Sequence, residues 1–159
     1  MPTSSHLIGL ISDTHGLLRP EVHERLKGVE IILHAGDVGG PEILDELRLI
    51  APVRAVFGNT DPRGIAELSE SIDMEIGGLR IHVSHGDEVG SPTPERLAAR
   101  YDSDVVIYGH THRQLVTRLN GQLFINPGAA GPRRFKLPAS VGVMTIAGGQ
   151  AEVSIIDIA

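Results

Sequence analysis

Residues 7–15 read LIGLISDTH, an apolar run that ends at Asp13 and His15, two side chains able to bind a metal ion. The two lie one residue apart, so in an extended chain they would point the same way. Short apolar runs that end at polar residues are typical of buried strands in a parallel or mixed sheet. Ligands bind beyond the carboxyl ends of such strands in open α/β sheets. The stretch therefore predicts an α/β fold with a polar site at the end of its first strand.

Four further apolar runs end in the same way. They are Ile31–Leu33 before Asp37, Val53–Phe57 before Asn59, Ile81–Val83 before His85, and Val105–Tyr108 before His110 and His112. Together with the first run, they would bring seven oxygen and nitrogen donors to one rim of the sheet. That number suits two metal ions better than one.

Each block taken alone also has a plain structural explanation. Asp13 could cap the turn that follows it, and Gly58–Pro62 is a good turn sequence by composition. His85 could be a structural histidine at a strand end. The segment Gly109–His112 is stronger evidence, because it combines paired imidazoles with a glycine that permits close backbone approach. The metal-site prediction rests on all five blocks occurring together.

Helix and turn signals fill the chain between these runs. The predicted helices are Glu21–Lys27, Glu42–Ile50 and Glu95–Tyr101, the last capped by Thr93 or Ser91. The predicted hairpins pair Met74–Ile76 with Leu79–Val83, Leu115–Leu119 with Leu123–Ile125, and Val141–Ile146 with Ala151–Ile156. The turn Asn120-Gly121 is the strongest hairpin signal, since Asn-Gly readily forms a type I′ turn. A parallel front half and an antiparallel back half would give two sheets packed face to face, with helices outside.

Composition narrows the function classes. A chain of 159 residues is predicted to form one domain over residues 1–159, and its net charge of -6 argues against a broad basic face for nucleic acid. With no cysteine there is no disulfide framework and no thiolate metal site. Met1–Ser5 is polar, so we do not expect it to be part of a signal peptide, and no apolar run approaches the roughly 18 residues of a membrane span. A cytoplasmic location is the default expectation, and a homo-oligomer is left open.

The five blocks follow one another in a set order along the chain. They are Asp13-Thr14-His15, Gly36-Asp37, Gly58-Asn59, His85 and Gly109-His110-Thr111-His112. In that order they resemble the signature of the calcineurin-like metallophosphoesterases over nearly the whole chain. The length and the segment Asn126-Pro127-Gly128 narrow the resemblance to the small YfcE-like phosphodiesterases, which share a fold with the retromer subunit Vps29. The resemblance implies a four-layer αββα sandwich of two mixed β-sheets flanked by helices, with a two-metal site at one edge.

The resemblance also implies a ligand set, carried over by position. Asp13, His15, Asp37 and His112 would hold the first metal ion, and Asp37, Asn59, His85 and His110 the second. Asp37 would bridge, because a carboxylate has two oxygens and can span two cations. We expect Mn²⁺ first, with Fe²⁺, Ni²⁺ and Zn²⁺ as alternatives, since nitrogen and oxygen ligands without thiolates suit all of these ions.

The implied activity is hydrolysis of a phosphate diester by a hydroxide that bridges the two metals, with Asp37, Asn59, His85 and His110 as the catalytic set. Many larger relatives have a histidine directly after the motif asparagine, where it can protonate the leaving group. This chain has Thr60 there, and a hydroxyl is a poor general acid near neutral pH. We therefore expect small diesters with good leaving groups as substrates.

Other residues near the blocks keep open roles. Arg133 and Arg134 belong to a basic run that either holds a substrate phosphate together with Asn59 or is a solvated loop. Asp61 either orients a ligand or only forms a turn, and His34 belongs to the core or supports a ligand. The rival functions are a non-catalytic, Vps29-like interaction scaffold and a regulator that binds metal without turnover.

Overall fold

The computed structural model describes residues 5–134 and 136–158, which form eleven β-strands and three short α-helices. In chain order the strands are β1 (Ser5–Ile11), β2 (Ile31–His34), β3 (Val53–Val56), β4 (Leu68–Ser69), β5 (Ile72–Ile76), β6 (Leu79–Val83), β7 (Val105–Ile107), β8 (Leu115–Leu119), β9 (Gln122–Asn126), β10 (Ser140–Ala147) and β11 (Gln150–Asp157). The helices are α1 (Glu21–Arg25), α2 (Pro41–Leu47) and α3 (Pro94–Ala98). Most of Met1–Ser5, and Phe135 in the basic run, lie outside the described residues.

Both sheets are mixed. The first has the strand order β11-β10-β1-β2-β3-β4 and the second β5-β6-β7-β9-β8. The predicted parallel pairing of the front half is confirmed, because β1 to β4 run parallel. The predicted antiparallel back half is wrong in part. Strands β6 and β7 run parallel because α3 lies in the crossover between them, and β7 and β9 run parallel because the antiparallel edge strand β8 lies between them in the chain. The β10–β11 hairpin joins the first sheet beside β1.

The apolar core is divided into layers by the sheets. Leu33 and Ile107 belong to the cluster between the two sheets, whereas Leu26 and Leu44 pack the helical face of the first sheet. Leu97 of α3 packs the outer face of the second sheet. Each such side chain, fully buried, contributes about 1.5–3 kcal/mol of transfer free energy. The order helices, sheet, sheet, helix confirms the predicted αββα sandwich.

The helices are shorter than predicted, and the hairpins agree with prediction. The predicted second helix extends to Ile50, but α2 ends at Leu47 because Ile50 N–H bonds the carbonyl of Leu47 in a tighter i→i+3 turn. Thr93 caps α3 by accepting the Arg96 N–H at 3.2 Å. No helix in residues 5–134 and 136–158 has the length and apolar character of a membrane span.

Candidate metal centre

Strand ends from both sheets bring the predicted ligands to one edge of the sandwich. Asp13 and His15 follow β1, Asp37 follows β2, Asn59 follows β3, His85 follows β6, and His110 and His112 follow β7. Every one of these side chains has a nitrogen or oxygen within 4 Å of a ligand atom from another strand end. The predicted residues therefore form a single cluster, although their role as ligands stays a prediction.

One half of the cluster surrounds the Asp13 carboxylate. Asp13 Oδ1 lies 3.4 Å from His112 Nε2 and 3.8 Å from His15 Nε2. The two imidazole nitrogens lie 3.4 Å from each other. Asp13 is fully buried, and its Oδ1 has no hydrogen-bond partner among the described residues.

The other half of the cluster contains Asn59, His85 and His110, and Asp37 connects it to the half around Asp13. Asp37 Oδ2 lies 3.6 Å from His15 Nε2 and 3.2 Å from His85 Nε2, so this oxygen faces both halves. His110 Nδ1 lies 3.3 Å from His85 Nε2 and 3.2 Å from Asn59 Oδ1. This arrangement is compatible with the predicted bridging role of Asp37. Asp13 Oδ1 is also 3.9 Å from His85 Nε2, so both carboxylates are central.

The donor set fits divalent cations. Nitrogen and oxygen ligands bind such ions at about 2.0–2.2 Å, which places neighbouring ligands of a tetrahedral site roughly 3.3–3.6 Å apart. The separations between Asp13, His15 and His112 lie close to that range. A buried carboxylate oxygen without a partner is costly, and a cation would satisfy it. The number and identity of the ions remain predictions.

Five of the predicted ligand residues have left-handed backbone conformations. The φ angles are 53° at Asp13, 46° at His15, 55° at Asp37, 74° at His110 and 63° at His112. The expectation of an extended Asp13–His15 segment is therefore wrong: the backbone bends at both residues. Non-glycine residues in this region cost roughly 1–3 kcal/mol each and cluster at functional sites. The bends persist because Asp13 N–H bonds Gly36 O and His15 N–H bonds Asp37 O, both at 2.9 Å.

Two glycines allow the loops to approach the carboxylates. A Cβ at Gly58 would overlap Asp37 Oδ1, and a Cβ at Gly109 would lie 2.6 Å from Asp13 Oδ2. Real Cβ atoms do not come this close to oxygen atoms. The close backbone approach inferred for the Gly109–His112 segment is confirmed.

Asp61 joins two loops that carry predicted metal ligands. Its Oδ2 accepts the N–H groups of Val38 at 3.0 Å and Gly58 at 2.9 Å, and its Oδ1 accepts that of Gly39 at 3.0 Å. These donors lie in the loops that carry Asp37 and Asn59. Hydrogen bonds to a charged acceptor contribute more than neutral ones. Of the two roles left open by the sequence, the geometry favours the orienting one.

Asn126 supports the histidine loop in a similar way. Its Nδ2 donates to Gly109 O at 3.2 Å and to Thr111 Oγ1 at 3.0 Å, and its Oδ1 accepts the Gly128 N–H at 2.9 Å. Asn126 is fully buried. The sequence identified it only as part of a segment typical of the family, because nothing in its spacing reveals these partners.

Arg133 and Arg134 are not joined to the cluster. Both are exposed, and Arg133 Nε donates to Leu137 O at 3.3 Å. Among the described residues, no hydrogen bond or ion pair links either guanidinium to a predicted ligand. Their substrate-binding role stays a prediction.

The carboxylates and His85 alter one another's protonation. Burial disfavours the protonated imidazole, but the hydrogen bond to Asp37 and the charge of Asp13 outweigh it and raise the pKa of His85 to about 9. Burial likewise disfavours the Asp37 carboxylate, but His85 and the Thr60 N–H hold its pKa well below the usual range. Without metal, the pair is therefore charged at neutral pH.

Metal affinity is expected to rise with pH because a cation must displace the His85 proton. The raised pKa keeps His85 protonated below about 9, so its contribution to the apparent affinity should grow by about tenfold per pH unit up to pH 9 and then level off. Calorimetric titration of metal-free protein with Mn²⁺ in two buffers would measure both affinity and proton release. An affinity that does not change between pH 7 and 9 would contradict this assignment.

Comparisons with known proteins agree with the geometry. The profile of the calcineurin-like phosphoesterase superfamily domain matches residues 7–149. A probable metallophosphoesterase of Methanothermobacter thermautotrophicus is 39% identical over 160 residues, covering 94% of this chain and 91% of its own. Phosphodiesterase MJ0936 of Methanocaldococcus jannaschii is 30% identical, covering 76% of this chain and 82% of its own. Vacuolar protein sorting 29 of Cryptosporidium parvum superposes with a TM-score of 0.79 at 26% identity, covering 97% and 98%.

Proposed function

The chain belongs to the calcineurin-like phosphoesterase superfamily, and from this membership we propose that this metal-dependent phosphoesterase is a phosphodiesterase. The observation that carries the proposal is the intact cluster of predicted ligands around Asp13 and Asp37. At its centre is a buried carboxylate oxygen for which the described residues provide no hydrogen-bond partner. Diester preference is supported by the relative from M. jannaschii, which is named a phosphodiesterase.

The proposed site holds two divalent cations, with Mn²⁺ as the first candidate and Fe²⁺, Ni²⁺ or Zn²⁺ as alternatives. Asp13, His15 and His112 would bind one ion, Asn59, His85 and His110 the other, and Asp37 would contact both. Cations bound there would activate a water for attack on phosphorus and would offset the negative charge of the phosphoryl oxygens.

Some of the predicted metal ligands are buried, and others are exposed where a substrate could contact them. Asp13 and His112 are buried, whereas Asn59 is exposed and His110 is half-buried, so substrate would approach from the Asn59 side. Asn59 Oδ1 faces His110, which leaves its amide N–H groups free to donate to a phosphoryl oxygen. The Thr60 N–H donates to Asp37 Oδ1 at 3.0 Å and so orients this carboxylate. The Thr60 hydroxyl is too weak an acid to protonate the leaving group near neutral pH. Leaving-group protonation is therefore weak, which favours acidic alcohols or phenols.

Hydrolysis of bis(p-nitrophenyl) phosphate and of p-nitrophenyl phosphate by Mn²⁺-loaded protein would test the proposal. We expect kcat/KM for the diester to exceed that for the monoester by at least about tenfold, and activity to depend steeply on leaving-group pKa because no acid assists departure. A preference for the monoester would overturn diester specificity. Tight metal binding without hydrolysis of either ester would favour a regulator or a scaffold.

An interaction scaffold is the second candidate. It is favoured by the likeness to vacuolar protein sorting 29 and by consecutive exposed residues Leu115 and Val116 on the edge strand β8. For either function we propose a cytoplasmic protein that acts without a membrane or broad nucleic-acid binding, with a homo-oligomer left open. The enzyme is preferred because a scaffold alone does not require a complete set of candidate metal ligands.

A further inference from the structure

His34 is a fully buried histidine that lies behind the metal centre and is absent from the predicted ligand set. Its Nδ1 is 3.1 Å from Gly36 N, and its Nε2 is 3.0 Å from Thr14 Oγ1. Thr14 Oγ1 in turn lies 2.7 Å from Val38 O. The imidazole therefore contacts both loops that carry the predicted carboxylate ligands.

Hydrogen-bond chemistry permits only one proton arrangement in this chain of contacts. A backbone N–H must donate, so His34 Nδ1 accepts from Gly36. The proton of the neutral imidazole is then on Nε2 and is donated to Thr14 Oγ1, whose own proton is donated to Val38 O. Burial lowers the pKa of His34 to about 4, which keeps the ring neutral. Both imidazole nitrogens of His34 and the Thr14 hydroxyl therefore have hydrogen-bond partners.

The contacted residues surround the ligands. Thr14 lies between Asp13 and His15, while Gly36 and Val38 lie on either side of Asp37. All three ligands have left-handed backbone conformations, which are unfavourable unless neighbouring contacts hold them. A hydrogen bond from one loop through an imidazole to the other therefore constrains the residues whose separation sets the metal site.

We infer that His34 is a positioning residue: its neutral imidazole fixes the Asp13–His15 loop against the Asp37 loop and thereby determines metal affinity. This inference rests on the metal binding of the proposed function, but it does not depend on the substrate. A residue needed only for packing would be apolar, because burying an imidazole costs free energy that its hydrogen bonds must offset. His34 acts through Thr14 and Gly36, and it touches neither metal nor substrate.

Two conservative variants of His34 each keep one of its two hydrogen bonds and remove the other. In His34→Asn, the amide oxygen replaces Nδ1 and can accept from Gly36, but the side chain is too short to reach Thr14. In His34→Gln, the amide nitrogen replaces Nε2 and can donate to Thr14, but the bond from Gly36 is lost. Loss of a residue that orients a ligand typically lowers metal affinity by about 10–100-fold. We expect about tenfold from each variant and about 100-fold from His34→Leu, which loses both bonds.

Calorimetric Mn²⁺ and Zn²⁺ titration of metal-free protein gives a readout that does not require activity. His82→Gln and His82→Asn are matched controls. His82 is also buried, and its Nδ1 lies 2.8 Å from Asp73 Oδ1, in a part of the protein remote from the predicted ligands. These controls should lose stability yet keep wild-type metal affinity. Thermal unfolding of every variant without metal separates folding defects from loss of affinity.

A double-mutant cycle with Thr14→Val tests the route. Thr14→Val and His34→Asn remove the same hydrogen bond, so their effects on metal affinity should be strongly non-additive. Thr14→Val and His34→Gln remove different bonds and should be closer to additive. Folded His34 variants with wild-type metal affinity would overturn the inference. If wild-type protein binds metal but hydrolyses no ester, the proposed function fails while these affinities still decide the role of His34.

Discussion

Replacing Asp37 by Asn should lower kcat/KM for a diester by about 10³-fold or more, because a metal supplies several kcal/mol of transition-state stabilisation and each 1.4 kcal/mol is tenfold. Thr60 N–H would hold the remaining carbonyl oxygen, which accepts at 3.0 Å in the native protein. The amide nitrogen would then face His15 and His85 and would offer no lone pair to a cation. Steady-state kinetics together with elemental analysis of the purified variant would measure both losses.

The fold should survive this substitution, since asparagine tolerates the left-handed conformation at position 37. Asp45→Asn is a matched control because Asp45 is exposed on α2 and lies outside the cluster of predicted ligands, and among the described residues its one ion pair is with Arg48 in its own helical turn. Turnover near the wild-type rate in the Asp37 variant would exclude a bridging carboxylate.

Chelation of the metal should abolish hydrolysis and lower thermal stability together. A ligand present at 1,000 times its dissociation constant stabilises the folded state by about 4 kcal/mol, and each kcal/mol shifts Tm by about 2–4 °C in a protein of this size. We therefore expect Tm to fall by roughly 8–16 °C when EDTA is added to protein saturated with Mn²⁺. Differential scanning calorimetry with and without EDTA would measure the shift.

The Asp37→Asn variant provides the control for chelation. If the stabilisation comes from this site, EDTA should change the variant's Tm by much less than that of the wild type. Equal shifts in both proteins would place the stabilising metal elsewhere. Restoration of both Tm and turnover by excess Mn²⁺ would separate reversible metal loss from irreversible denaturation.

The clustering of the predicted ligands could be anticipated because each follows a strand whose apolar run is visible in the sequence. The carboxyl ends of parallel strands share one edge, so adjacency of Asp13, Asp37 and Asn59 follows from strand order alone. The placement of His85 and His110 against them needs a second sheet facing the first. The face-to-face packing of the two sheets was expected from the fold class. The alignment of their strand ends, which brings His85 and His110 to the carboxylates, was not.

Other features depend on tertiary contacts that spacing does not encode. Asp61 and His34 were left with open roles, since a turn sequence and a buried strand-end histidine look the same whether or not they contact a ligand loop. The β10–β11 hairpin was predicted as a local unit, but its pairing with β1 depends on which edge is free. The two-residue strand β4 had too few residues for any periodicity.

The central position of β1 constrains the order of assembly during synthesis. Ile8 pairs with Ile31 on one side and with Met144 on the other. On the ribosome, the β1–β2 pair can form early, while the other edge of β1 stays open until β10 emerges. An unpaired apolar edge is a template for pairing with another chain. Nascent chains that end before β10 are therefore the form most exposed to aggregation, and chaperones would protect this protein best during that interval.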